Sequence, residues 1–192
     1  MASIDTELFL WLNQWVGHFP IVDDIVRVLV SDYLVPIISS LTLLGLWFWG
    51  KDHQQRSRHQ KATLTAIIGL ALSNLTVLLL NQHYFRIRPF NVHEVSLLFY
   101  PPVDSSFPAN PIAVAFAMAT GVWLGHKKAG FILYIMAVLF GISRVYAGVC
   151  YPIDSVAGAL VGIASGTIAS FILRLVPIHI LFQKLGRYFY LA

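Results

Sequence analysis

Long apolar runs alternate with short polar ones along this chain. Residues 33–50, 62–80, 129–147 and 155–176 are each long enough to cross a bilayer, for which about 20 apolar residues suffice, in a range of about 17–25. Residues 111–125 form a fifth run. It is short for a span and needs either an extension at one end or a buried position. Ahead of these runs, residues 5–17 mix Phe, Leu and Trp with polar side chains, the pattern of an interfacial amphipathic helix. Residues 21–31 are a second helical stretch adjoining the first span. The tail, 177–192, ends in aromatic and basic residues that suit the headgroup level, so it reads as another interfacial segment.

Two details inside the runs sharpen the picture. Gly158, Gly162, Gly166 and Ser170 recur at every fourth position. Such a face lets a neighbouring helix approach closely, so the last span is expected to be buried in a bundle. Ser73 and Asn74 lie at mid-depth in the second span and are expected to face the bundle interior.

Composition agrees with the pattern. Of 192 residues, 57% are hydrophobic and 11% charged, and the mean hydropathy is +0.71. Soluble domains carry about 25% charged residues. The reading is one all-α integral membrane domain over residues 1–192. The single cysteine, Cys150, excludes an internal disulfide framework and a multi-Cys metal site; no metal or other cofactor is expected. The N-terminus begins with acids and its apolar stretch is broken at Asn13 and Gln14, so no secretory signal peptide is expected, and neither end carries a lipidation motif.

Charge placement orients the chain. Lys51, Arg56, Arg58, Lys61, Lys127, Lys128, Arg174, Lys184 and Arg187 fall on one side of the predicted spans. The positive-inside rule makes that side cytoplasmic. Arg27, Arg86, Arg88 and Arg144 fall on the other side, with every acid except Asp52. The pI near 9.3 therefore reflects membrane orientation and anionic headgroups, and no nucleic-acid partner is expected.

Three outward segments collect polar groups: "NQHYFRIRPF" at 81–90, "SSFPANP" at 105–111 and "SRVYAGVCYPID" at 143–154. They are expected to meet at one membrane face, with Arg88, Arg144 and Arg86 converging near a helix start at Asn110 (N-cap) and Pro111 (first helical position). Guanidinium groups bind phosphate bidentately, and helix N-termini attract anions. A lipid phosphate suits such a pocket. The residues alone support a second reading equally, in which the arginines form ion pairs with Glu94, Asp104 and Asp154.

"RPF", "SFPxNxxA" and "SRVYxGVxYPxD" resemble the motifs of the type 2 phosphatidic acid phosphatase (PAP2) superfamily, and within it the bacterial undecaprenyl-diphosphate phosphatases, over residues 60–170. The resemblance implies a bundle of five to six transmembrane helices with interfacial helices at both ends. It implies a bacterial cytoplasmic membrane, a site on the extracytoplasmic side, and a lipid or polyprenyl (di)phosphate as partner. By the same likeness Arg88 and Arg144 hold phosphate, Asn110 is an ordinary variant of the second motif, and Asp154 orients the nucleophile. Here the sequence departs from the family. The first motif's Lys is Asn81, for which Arg86 partly substitutes. The phosphate-bonding Ser is Ala109, the proton-donating His is Pro111, and the nucleophilic His is Cys150.

Hydrolysis through a phospho-enzyme needs a nucleophile and an acid for the leaving oxygen, and neither Pro111 nor Ala109 has a proton to give. Three readings follow. The first is a hydrolytically impaired member that keeps the fold and a lipid-phosphate pocket. The second is an active phosphatase using Cys150, a thiolate that nearby arginines favour and Asp154 opposes. The third is a structural subunit bound to other membrane proteins.

Overall fold

The computed structural model describes residues 4–175, and every regular element among them is helical. The helices are α1 (Ile4–Asn13), α2 (Pro20–Leu29), α3 (Leu34–Phe48), α4 (His53–His83), α5 (Asn110–Gly125), α6 (Lys127–Tyr146) and α7 (Pro152–Leu175). A short 3-10 turn, Pro89–Asn91, follows α4. The expected C-terminal interfacial segment lies outside the described residues.

The five apolar runs fall on α3 to α7. By length and apolarity α4, α6 and α7 each suffice to cross a membrane, and α2 with α3 makes a fourth candidate bent by 50°. The fifth run, α5, has only 16 residues. It takes the buried position that its shortness allows, between α4 and α7. The chain is an integral membrane protein.

Small residues explain how α5 fits. A Cβ on Gly121 would lie 2.4 Å from Ala66 Cα, and one on Gly162 would lie 2.3 Å from the Ala113 carbonyl oxygen. Gly158 and Gly166 meet α5 in the same way, at Ala109 and Thr120. Lipid gives no hydrophobic drive between helices, so close backbone packing of this kind does the holding. Ser73 is fully buried, as expected; Ser73 and Asn74 both donate to the Leu70 carbonyl, at 2.9 and 3.2 Å.

Three boundaries differ from the sequence reading. The polar stretch 51–61 is not a loop beyond Asp52 but the first turns of α4. The Asp52 carboxylate accepts from the Gln55 backbone N–H at 2.7 Å, and the Gln55 side chain accepts from the Lys51 N–H at 3.1 Å. That reciprocal cap starts the helix early; the charges made a solvated helix resemble a loop. Lys127 and Lys128 likewise begin α6, which is capped by the His126 ring at 3.1 Å from the Ala129 N–H. At α5 the N-cap is Ala109, without a side-chain cap, so Asn110 and Pro111 stand one position further into the helix than expected. The Ala109 carbonyl leaves no room for a Cβ at Gly158, which would lie 2.5 Å from its oxygen, and the Ala109 N–H donates to the Asp154 carbonyl at 3.1 Å.

The N-terminal segment turns its polar residues toward the protein. Asp5, Asn13 and Asp23 are buried, whereas Ile4, Leu8 and Trp11 are exposed. Asn13 donates to the carbonyls of Ser96 (3.0 Å) and Tyr146 (2.9 Å) and accepts from the Ser96 N–H (3.0 Å). Asp23 accepts from the Tyr146 hydroxyl at 2.9 Å and from the Gly17 N–H at 2.9 Å. These bonds fasten α1 and α2 across the end of α6, where the three polar segments meet.

Candidate functional site: an arginine-rich cluster at one end of the bundle

Arg86 and Arg88 follow the C-terminal end of α4, where extended backbone leads into Pro89. Arg144 projects from the last turn of α6, and Asp154 from the first turn of α7. Cys150 lies in the connection between them, shaped by Gly148 at φ +84°, a left-handed conformation that glycine adopts without strain. Helix polarity thus brings the three segments to one end of the bundle.

Each arginine already has acceptors. Arg88 is buried and donates through Nε to the Asp104 carbonyl (2.9 Å) and through Nη1 to the Val149 carbonyl (2.9 Å). Its Nη2 reaches the Asp104 carboxylate at 2.8 Å and the Ser105 carbonyl at 3.3 Å. Arg144, also buried, donates to Asp32 at 3.1 Å and lies 5.2 Å from the ring centres of Phe99 and Phe140. Arg86 bridges two buried carboxylates, Asp5 (2.7 Å) and Asp154, and stacks 4.1 Å over the Tyr151 ring. Burial works against its charge, but the hydrogen bonds and attraction of Asp5 and Asp154 hold its pKa above the usual arginine value. Of the acids named as ion-pair partners from sequence, Asp104 and Asp154 take that role. Glu94 has no ion pair among the described residues, and Asp32 and Asp5 take the remaining places.

Asp154 is fully buried. It accepts from the Ser106 hydroxyl, from Arg86, and from the Tyr151 N–H at 3.3 Å. Ser106 and Arg86 hold the carboxylate expected to orient a nucleophile. Cys150 is buried too, with Sγ 3.3 Å from the Ser155 hydroxyl. Burial pushes its thiol pKa up. The Ser155 contact and the charges of Arg144 and Arg88 only partly offset this, and Asp154 adds to it. Burial and Asp154 together favour the thiol over the thiolate at Cys150.

The amide oxygens of Asn81 and Asn110, both singled out by the sequence resemblance, are buried without a hydrogen-bond partner. An unmade bond of this kind costs about 1–3 kcal/mol, so a donor arriving at either oxygen is stabilised. Beside Asp32 a groove of about 280 Å³ runs along α3, lined by Tyr33, Pro36, Ile37 and Leu41. A wider depression of about 740 Å³ is edged by Glu7 and Glu94 and repels anions. No group of three His, Cys, Asp or Glu residues suited to a metal occurs among the described residues.

Asp5, Asp32, Ser106 and Asn13 were not singled out by sequence reasoning. The Asp5 carboxylate also accepts from the Ile153 N–H at 2.9 Å, capping α7 from 148 residues away. The available signal was that the acids gather on the side that holds the three arginines.

Residues 62–176 match the model of the PAP2 superfamily. The chain belongs to the PAP2 superfamily. It is similar to the undecaprenyl-diphosphatase BcrC of Bacillus subtilis strain 168, with 31% identity over 83% of this chain and 79% of that one. The putative undecaprenyl-diphosphatase YbjG of Escherichia coli K12 is 26% identical over 98% of this chain and 92% of its own. Among solved structures, Aquifex aeolicus LpxE superposes with a TM-score of 0.71 and 30% identity, covering 88% of this chain and 95% of LpxE. A PAP2-type phosphatidylglycerolphosphate phosphatase from Bacillus subtilis superposes with a TM-score of 0.65 at 20% identity, covering 90% of this chain and 85% of that one; at that identity it supports the fold alone. Arg88, Arg144, Asn81, Ala109, Pro111 and Cys150 stand at the positions where the sequence reading expects the family's motifs.

Proposed function

We propose that this PAP2 protein binds a lipid phosphate of the undecaprenyl diphosphate kind on the extracytoplasmic side of a bacterial membrane, and that it is impaired in hydrolysing it. One observation carries this reading: Cys150 is fully enclosed, with its sulfur against the Ser155 hydroxyl, while Asp154 is turned to Arg86 and Ser106. The guanidinium groups that attract phosphate are present, and the imidazoles that move its protons are not. A headgroup takes Arg144 by displacing Asp32, the more exposed member of that pair. The apolar groove beside Asp32 then receives the first part of the lipid chain. Arg88 anchors the loop beneath through Val149 and keeps its charge close to the site.

The test is phosphate release from undecaprenyl diphosphate by the purified chain, beside binding of the same lipid by wild type and Arg144→Ala. The expected result is binding that Arg144→Ala weakens, with no release. The triple substitution Ala109→Ser, Pro111→His, Cys150→His is expected to gain release. Equal binding by both proteins would sink the pocket.

A second reading is favoured by the 31% identity to a protein named as an undecaprenyl-diphosphatase: the chain hydrolyses the lipid through Cys150. It requires release by wild type that Cys150→Ser abolishes.

A further inference from the structure

At the opposite end of the bundle from the motif arginines, the ends of α5 and α7 and the first turns of α4 enclose a crevice of about 150 Å³. Gly125 makes this approach possible. A Cβ there would lie 2.3 Å from Ala62 Cβ, so the end of α5 leans directly on α4.

The polar groups around the crevice are ordered rather than scattered. Arg58, Lys61 and Thr65 stand at i, i+3 and i+7 on one face of α4, and Ser170 and Arg174 stand at i and i+4 on one face of α7. Three cations and two hydroxyls from two helices thus face one cavity. Among the described residues, none of the three cations has a carboxylate partner. Asp52, the acid nearest in sequence, is engaged in capping α4. The remaining residues, 176–192, contain no Asp or Glu. Thr65 donates its hydroxyl proton to the Lys61 carbonyl at 2.8 Å, and the Ser170 hydroxyl has no partner among the described residues.

Bulk surface charge explains a basic rim but not a cavity whose hydroxyls and cations share register on facing helices. The C-terminal end of α5 brings about half a negative charge, and three full positive charges outweigh it. The volume lies well below the roughly 300–1,000 Å³ of pockets that enclose a drug-sized ligand, so the crevice takes one small group. A neighbouring depression of about 490 Å³ shares Arg58 and Lys61 and adds Gln54, Gln55, Ser57 and the cap carboxylate Asp52, leaving room for a neutral or polar part of whatever the small group is attached to.

We propose that this crevice binds the phosphate of an anionic ligand, separately from the motif site. That phosphate belongs either to a lipid headgroup, since basic pockets between membrane helices recognise such groups, or to a free phosphate ion.

The experiment uses the full chain in detergent. Native mass spectrometry reads retention of phosphatidylglycerol against phosphatidylcholine, and a thermal shift reads the effect of inorganic phosphate. Variants are Lys61→Gln/Arg174→Gln, the charge-matched control Lys51→Gln/Lys128→Gln, and Ser170→Leu, which fills the crevice and leaves every charge. Each basic residue near an anionic group contributes roughly a factor of five, so Lys61→Gln/Arg174→Gln is expected to weaken binding about thirtyfold. Ser170→Leu weakens it too, and the control leaves it unchanged. Variant-sensitive retention of phosphatidylglycerol alone assigns a lipid headgroup; variant-sensitive stabilisation by inorganic phosphate assigns the free ion. Equal losses in the control, full binding by Ser170→Leu, or no phosphate-dependent binding at all would each overturn the proposal. Should Lys61→Gln/Arg174→Gln lose its monodisperse profile, Arg58→Gln, at an exposed position, answers the same question. The motif site is untouched by these variants, so neither outcome depends on the proposed function.

Discussion

Asp32 holds the arginine to which the proposed function brings a phosphate, and Asp32→Asn tests whether it acts as a competitor. In the structure its carboxylate accepts from Arg144 at 3.1 Å and from the Tyr100 hydroxyl. Arg144 is almost wholly buried, whereas the Asp32 side chain keeps 37% of its exposure. A hydrogen bond to a charged group contributes about 1.5–3 kcal/mol. Solvent at Asp32 screens part of this, and the asparagine carbonyl still accepts a neutral bond. The charge-dependent remainder is about 1.4 kcal/mol, which is about tenfold in affinity. Asp32→Asn is therefore expected to bind a short-chain polyprenyl phosphate about tenfold more tightly in a detergent titration, and Asp32→Asn/Arg144→Ala is expected to lose that gain. Unchanged or weaker binding by Asp32→Asn would refute the idea that Asp32 and phosphate compete for Arg144.

Other substitutions probe the packing and the titrating groups. Gly162→Ala forces a methyl to within 2.3 Å of the Ala113 carbonyl and is expected to cost about 1–3 kcal/mol, seen as a lower melting temperature in detergent, whereas Gly141→Ala, with its nearest atom 3.7 Å away, is expected to change little. The buried Cys150 is expected to react with a maleimide far more slowly than an exposed cysteine at neutral pH; fast labelling of the folded protein contradicts the burial. The folded state holds the Cys150 proton more tightly than the unfolded chain, so its contribution is complete below the ordinary thiol range and declines as pH rises through the raised value. His126 titrates the other way. Burial first, and then the nearby His59, lower its pKa from 6.5, so its contribution is complete above about pH 6.5 and falls as pH drops toward the lowered value. Melting temperatures between pH 7.5 and pH 5 are expected to decline less in His126→Asn than in wild type, and parallel curves contradict this.

Much of the helical framework is legible in the sequence because a bilayer leaves few alternatives. Backbone groups must be satisfied within each segment, so apolar runs of spanning length become helices, as α3, α4, α6 and α7 do. The glycine spacing of α7 similarly reveals a close neighbour, though not that the neighbour is α5. Local polarity was the weaker guide. It hid the start of α4 inside a charged stretch, where a reciprocal Asp52–Gln55 cap begins the helix. It also placed Asn110 as a cap, although the structure gives that position to Ala109.

The candidate site divides along the same line. The sequence by itself determined which reactive groups exist: arginines at 88 and 144, and no histidine at 111 or 150. Only the tertiary structure decided what those groups face. Arg144 meets Asp32 from 112 positions away, Arg86 meets Asp5 from 81, and Asp154 meets Ser106 from 48. The physical reason is that side-chain identity is local, whereas ion pairing in a buried site depends on where separate helix ends come together. Helix polarity alternates along the chain, so segments far apart in sequence return to the same end of the bundle. Burial there then makes Arg86, Arg88, Arg144, Asp5 and Asp154 take partners.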